Sequence, residues 1–252
     1  MAFVGAGFSR PLLPSWHELL VALSERTGDH EVKAWLESER LSHRDYEGVA
    51  QALRSQVHDD RQFEALLRQI LDPERRPGLP GERLQAYRET FDARLRRLKA
   101  IPFHSILTTN FDPLFTGDTP SPETFAKVIG SERRPWWDFR AWSEERREGF
   151  DTSWQAPVVK LHGDLDAPPG QRRLAFTTRN YRALVHQQPG YRAFLRTLFA
   201  THSVLYMGFS FTDGYINELR SEILAWVGSD RLPDYAIMAD VPPLVRRHLR
   251  EN

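Results

Sequence analysis

The chain is 252 residues long, carries 34 basic and 34 acidic residues for a formal net charge of zero, and contains no cysteine. That balance excludes a global electrostatic pull toward nucleic acid or an anionic membrane, and the missing cysteine excludes disulfides, a thiol nucleophile and any Cys-ligated zinc module. With 40% hydrophobic and 27% charged residues, no signal peptide and no apolar run of the roughly 18 residues a spanning helix needs, a folded cytoplasmic protein is expected.

The first nine residues, Met1 to Ser9 (MAFVGAGFS), are a short apolar run that stops on Gly-x-Gly and turns toward a helix. This is how a dinucleotide-binding sheet begins. Gly5 suits a tight turn, Gly7 suits a close approach of backbone to phosphate, and the amides opening the next helix suit an anion. The full GxGxxG is absent, because Arg10 follows Phe8 and Ser9. Ser15 with Glu18 three residues on forms a capping box for a helix from Trp16 to Arg26. From about Asp29 to Lys99 apolar residues recur at helical spacing, in Trp35-Leu36, Tyr46 to Val57, Phe63 to Leu71 and Leu84 to Leu98, broken by the Pro- and Gly-rich stretch from Asp72 to Gly81. We read residues 29–99 as a helical module inserted into one α/β domain that spans residues 1–252. Arg94, Arg96, Arg97 and Lys99 read as a solvated helix face rather than as nucleic-acid contacts.

A strand pattern returns from Phe103 to Thr109 and leaves through the polar turn Asn110-Phe111-Asp112. Phe125 to Ile129 reads as another strand. Trp136, Trp137, Trp142 and Trp154 stand in an irregular segment read as a loop over the sheet rather than as ligand-stacking rings. Strands then follow at Pro157 to Leu161, ending on His162-Gly163-Asp164, and at Leu174 to Thr177. A helix from Arg179 to Ala200 is interrupted near Pro189-Gly190. Ser203 to Met207 is the next strand, running into Gly208 to Asp213, where Thr212 or Asp213 can cap a helix from Tyr215 to Val227. Tyr235 to Ala239 is the last strand, with a final helix from about Pro243.

Strands alternating with helices specify a doubly wound, mostly parallel, Rossmann-like sheet. Its carboxyl-end turns share one edge, so Gly5 to Ser9, Asn110 to Asp112, His162 to Asp164 and Gly208 to Asp213 should converge on one crevice.

GAGFS, TTNFD, KLHGD and GFSFTD, in this order and spacing, resemble the sirtuin-like domain, in particular the bacterial branch of NAD-consuming antiphage effectors. The resemblance implies NAD as substrate, with Gly5, Ala6, Gly7 and Ser9 around its phosphates and ribose, Asn110 and Asp112 at the nicotinamide ribose, and Gly208 and Ser210 on the adenosine side. It implies His162 as catalytic base beside Asn110, and it adds Phe8, Thr109 and Asp213 to the NAD-contacting positions. Protein-deacylating sirtuins carry a four-cysteine zinc module, whereas this chain has no cysteine, so no zinc is expected and the acyl-peptide site loses support. They also follow the glycine motif with Gly-Ile-Pro-Asp-Phe-Arg, where this chain has Leu12-Leu13-Pro14-Ser15-Trp16. The short first strand and the want of the extra domain such effectors often carry fit one domain of a longer protein.

Cleaving the bond between nicotinamide and ribose leaves positive charge on the sugar. A neutral amide such as Asn110 can hold a ribose hydroxyl or a water, and a histidine with an ordinary pKa of about 6.5 can move the proton. Asp112 is suited to orienting Asn110 or binding ribose. Asp164 and Asp213 also read as turn or helix caps, and His17, His104, His186 and His202, without a motif around them, as structural or surface residues. The leading expectation is an NAD hydrolase releasing ADP-ribose and nicotinamide, acting as a homo-oligomer or with an activating partner. A sensor that binds NAD or ADP-ribose without turnover is the alternative, and a deacylase or ADP-ribosyltransferase the third.

Overall fold

The computed structural model describes residues 1–38, 46–76, 79–130, 156–168, 174–188, 190–211, 214–227, 233–238 and 246–247. Trp136, Trp137, Trp142, Trp154, Thr212, Asp213 and Pro243 lie outside the described residues.

Five strands form one sheet: β1 (Ala2–Val4), β2 (Ile106–Thr108), β3 (Val158–Lys160), β4 (Leu205–Met207) and β5 (Tyr235–Ile237), in the order β3-β2-β1-β4-β5. All four pairings are parallel, with Phe3 level with Leu107 on one side and Tyr206 on the other. Each strand is three residues long. Alternation along the strands sends Phe3, Leu107, Val159 and Tyr206 to one face and Ala2, Val4, Ile106 and Val158 to the other.

Helices cover both faces, as a parallel sheet requires. The first face is packed by α6 (Pro122–Ile129), α7 (Thr178–Gln187), α8 (Tyr191–Thr201) and α9 (Gly214–Val227), through residues such as Phe125, Leu184, Phe199 and Ile216. The other is covered by α5 (Gly81–Ala100), through Leu84, Phe91 and Leu98. Each such side chain removed from water contributes about 1.5–3 kcal/mol. A separate core joins α1 (Trp16–Thr27), α2 (His30–Glu37), α3 (Tyr46–Ser55) and α4 (Asp60–Ile70) to Phe111, Leu165 and Phe176. The last three residues belong to the turns after β2 and β3, so this helical layer lies over the carboxyl edge of the sheet. Among the described residues no helix is long and apolar enough to cross a membrane.

Several boundaries follow their local signals. Ser15 and Glu18 form the capping box, the Ser15 amide donating to Glu18 Oε2 at 2.7 Å and the Glu18 amide to Ser15 Oγ at 3.3 Å. The helix expected over Arg179 to Ala200 is split into α7 and α8 with Gly190 at φ 78° between them. Two expectations are corrected. Phe125 to Ile129 is not a strand but the body of α6, started by the Ser121 cap and Pro122 in the first turn, with Phe125 and Val128 on the buried face. Leu174 to Thr177 is not a strand either; the Ala175 amide donates to the His162 carbonyl at 2.9 Å, and Thr177 caps α7.

Candidate active site

The strand order reverses at β1: the chain winds outward through β2 and β3, then returns to β4 on the other side. Crevices in open parallel sheets form at the carboxyl end of such a switch point. Here the turn after β1 and the turn after β4 meet. A crevice of about 1070 Å³ opens over them, lined by Gly5, Ala6, Gly7, Phe8, Arg94, Thr109, His162, Tyr181, Gly208 and Ser210, among others. It has room for a dinucleotide.

The glycines are there for backbone against backbone. A Cβ on Gly5 would stand 2.6 Å from the Gly208 carbonyl oxygen, and one on Gly7 would stand 2.8 Å from it. The Gly5 amide donates to Met207 O at 3.0 Å and the Gly7 amide to Gly208 O at 2.9 Å. The Gly7 N–H is thus spent on the turn after β4. The turn is a short 3-10 helix, Ala6–Ser9, and α1 starts only at Trp16. Gly208 has φ 61°, and two residues further on from Phe209, Phe211 has φ 56°, an uncommon backbone for a bulky residue. Such conformations concentrate at binding loops.

Asn110 is 6% exposed and its side-chain Nδ2 lies 3.3 Å from both Gly5 O and Ser9 Oγ. Below it, the Thr108 hydroxyl donates to Val4 O at 2.9 Å and accepts from the Asn110 amide at 3.0 Å. The residue is thus tied to the turn after β1 by two side-chain bonds, and its backbone amide to Thr108 on β2. Both of these side-chain bonds are donated by Nδ2, so Oδ1 is the acceptor of that carboxamide. Asn110, Ser9 and Asp112 line a side pocket of about 30 Å³ that shares Ala6, Ser15, Trp16 and Thr109 with the main crevice. That is room for little more than a water.

Asp112 does not reach Asn110 with any bond among the described residues. Its Oδ1 accepts from the Leu114 amide at 2.9 Å, and its carbonyl accepts from Lys160 Nζ at 2.6 Å. Lys160 is fully buried and also pairs with Asp164 Oδ1 at 2.7 Å. Burial pushes the Asp112 carboxyl up to about 6, with Asp164 adding to the rise, while the Lys160 ammonium and the Leu114 amide pull it down. Asp164 also accepts from the Asp166 amide at 2.9 Å, the turn cap its position suggested. Lys160 therefore stitches the end of β3 to the turn after β2.

His162 is 1% exposed, and the Tyr181 hydroxyl sits 2.8 Å from its Nε2. Ser210 is exposed at the rim. Sequence reasoning missed four contributors. Tyr181 carries no motif of its own, and Lys160 opens KLHGD but has no role assigned from it. Arg94 does not belong with its exposed neighbours Arg96, Arg97 and Lys99: it is half-buried, and its Nη1 donates to Arg10 O at 2.6 Å and Phe8 O at 3.2 Å from α5. His17, read as structural or surface, lines the crevice. Of the other histidines, His186 is exposed, and the His104 and His202 rings, just before β2 and β4, lie 4.3 Å apart and tilted by 36°.

A family model for the SIR2-like domain matches residues 104–252, more than half of the chain. No curated protein matches it. The matched stretch carries Asn110, Asp112, His162, Gly208 and Ser210; Gly5 to Ser9 precede it and join the site because β1 lies between β2 and β4.

Proposed function

Because the chain belongs to the SIR2-like domain family, whose members bind NAD and are often NAD-dependent enzymes, we propose that it is an NAD hydrolase, converting NAD and water to ADP-ribose, nicotinamide and a proton. What supports this reading is that Asn110 and His162, from the ends of β2 and β3, both border the cavity system over the switch point, with the glycine turn as its floor. The C1′–nitrogen bond to nicotinamide breaks with its electron pair leaving on the ring. Asn110 Oδ1 holds the ribose or the incoming water, and the oxygen of that water bonds to C1′. His162 takes the proton the water loses. Enclosure of both groups keeps competing nucleophiles away from a cationic sugar. The residues fit NAD: a crevice with room for a dinucleotide, with an imidazole on its wall and a carboxamide in the adjoining side pocket.

The further reading, that the chain depletes NAD as an effector of defence against phage in the cytoplasm, rests on the resemblance of GAGFS, TTNFD, KLHGD and GFSFTD to that branch. It carries with it activation by self-assembly or by a partner protein. The absence of cysteine favours a site without zinc over a zinc-dependent deacylase.

The test is nicotinamide release from NAD by the purified chain beside Asn110→Ala and His162→Ala. Release that falls by about 10²-fold or more in each variant is expected. Calorimetric binding of NAD with no release under any condition of assembly would transfer the chain to the sensor reading.

A further inference from the structure

The turn after β4 forms one wall of the crevice: Met207, Gly208, Phe209 and Ser210 all line it. Phe211 follows directly with φ 56°, a left-handed backbone that is unfavourable for a bulky residue and persists where the surroundings hold it. The hold comes from α9. Asn217 Nδ2 donates to the Phe211 carbonyl at 2.5 Å. One turn further along the helix, on the same side, the Arg220 guanidinium lies 5.2 Å from the centre of the Phe211 ring and 4.9 Å from that of Tyr206.

Arg220 is itself anchored. Its Nη2 lies 3.9 Å from Asp234 Oδ2, with both side chains 13% exposed, and Asp234 Oδ1 accepts from the Val204 amide at 2.9 Å. Asp234 precedes β5 and Val204 precedes β4, so the guanidinium is fixed to the sheet. The Phe211 ring meets Phe209 edge-on and Tyr206 at a tilt, with centroids 5.0 Å apart in both pairs. On the other side of the turn, Met207 O and Gly208 O accept from the Gly5 and Gly7 amides at 3.0 and 2.9 Å. The wall therefore hangs between the β1 turn and α9.

We propose that Asn217 and Arg220 are positioning residues for NAD binding: they clamp Phe211 by its carbonyl and by its ring, and so keep Gly208 to Ser210 in the shape that meets the dinucleotide. A donor on the carbonyl restrains the peptide plane that follows Phe211, and a cation beside the ring restrains the side chain. With both held, the residue stays in the left-handed region. The proposal rests on the NAD reading of the crevice for its effect on affinity, but not for its effect on the turn.

Asn217→Asp keeps the shape of the side chain and replaces the donor with a carboxylate that only accepts. Arg220→Met keeps an unbranched stem and removes the cation. In the full chain the first readout is independent of NAD. Hydrogen exchange at the Gly5 and Gly7 amides is expected to speed up about tenfold or more in each variant. Exchange at the Leu161 amide, which donates to Thr108 O at 2.8 Å between the ends of β3 and β2, should change by less than about twofold. The second readout separates binding from turnover: Kd for NAD rises about tenfold, while kcat for nicotinamide release changes by less than about twofold. Unchanged exchange at Gly5 and Gly7 overturns the proposal whether or not the chain binds NAD. Exchange that rises equally at Leu161 overturns it as well, because that is a general loosening. Faster exchange at the two glycines in a chain whose parent binds no NAD supports the clamp and sinks the NAD reading instead. Should Arg220→Met fail to fold, Asn217→Asp, at a half-buried position, carries the test by itself.

Discussion

A Cβ placed on Gly208 would lie 2.2 Å from the amide nitrogen of Phe8, inside any allowed contact. The two turns that make the crevice floor are thus in backbone contact, and no side chain fits between them. Gly208→Ala also meets an unfavourable φ of 61°. The variant is expected to lose about 2–4 kcal/mol of stability and to bind NAD at least tenfold more weakly. Thermal unfolding and calorimetry check both, and an unchanged melting temperature would show that the turns can part without cost.

Lys160 is the cation beside two carboxylates, paired to Asp164 and bonded to the carbonyl of Asp112. Lys160→Met keeps the volume and leaves Asp164 and Asp112 without it. A loss of about 3–5 kcal/mol is expected, because a buried charge stripped of its partner keeps its desolvation cost. Adding Asp164→Asn to Lys160→Met should restore part of it in urea unfolding; a double variant no better than the single one contradicts the pairing.

Asp112 gives the fold a defined pH dependence. Its carboxyl is pushed up to about 6 in the folded protein, against about 3.9 in an unfolded chain. Below about pH 4 both states hold the proton and its contribution to stability is complete. As pH rises toward 6 the unfolded chain releases the proton first, so stability falls across that window, by about 3 kcal/mol from this group. Asp112→Asn cannot titrate. Its stability should therefore decline less than the parent's between pH 4 and 6.5, measured as urea midpoints; parallel curves would refute the assignment.

Arg94 ties α5 to the turn after β1 through the carbonyls of Phe8 and Arg10. Arg94→Ala frees that turn and takes a cation from the crevice. NAD affinity is expected to drop about tenfold, about 1.4 kcal/mol, while kcat changes by less than about twofold. A variant that binds NAD as the parent does would make the contact purely structural.

The four strand ends were legible because each has a local cause: a short apolar run, then glycine or a polar residue that stops it. The Ser15–Glu18 box was legible for the same reason, since both bonds close within four residues. Phe125 to Ile129 was misread because the run FAKVI suits strand or helix, and the deciding signal, a Ser121 cap followed by Pro122, lies before it. Arg94 was misread because helical spacing alone cannot say that a neighbouring turn will approach one arginine and leave Arg96 and Arg97 in water.

By itself the sequence determined the alternation of strands and helices and the polar ends of the strands, set by interactions within a few residues along the chain, while the choice of Asn110 and His162 came from the resemblance of TTNFD and KLHGD to the sirtuin-like domain. Only the tertiary structure decided that Gly5 and Gly7 serve the Gly208 turn, about 200 residues away, and that Lys160 bridges two turns. It also decided that Tyr181 meets the ring of His162. The strand order sets these meetings, and that order is fixed by how helices on two faces bury one sheet, a balance summed over the whole chain that no local stretch contains.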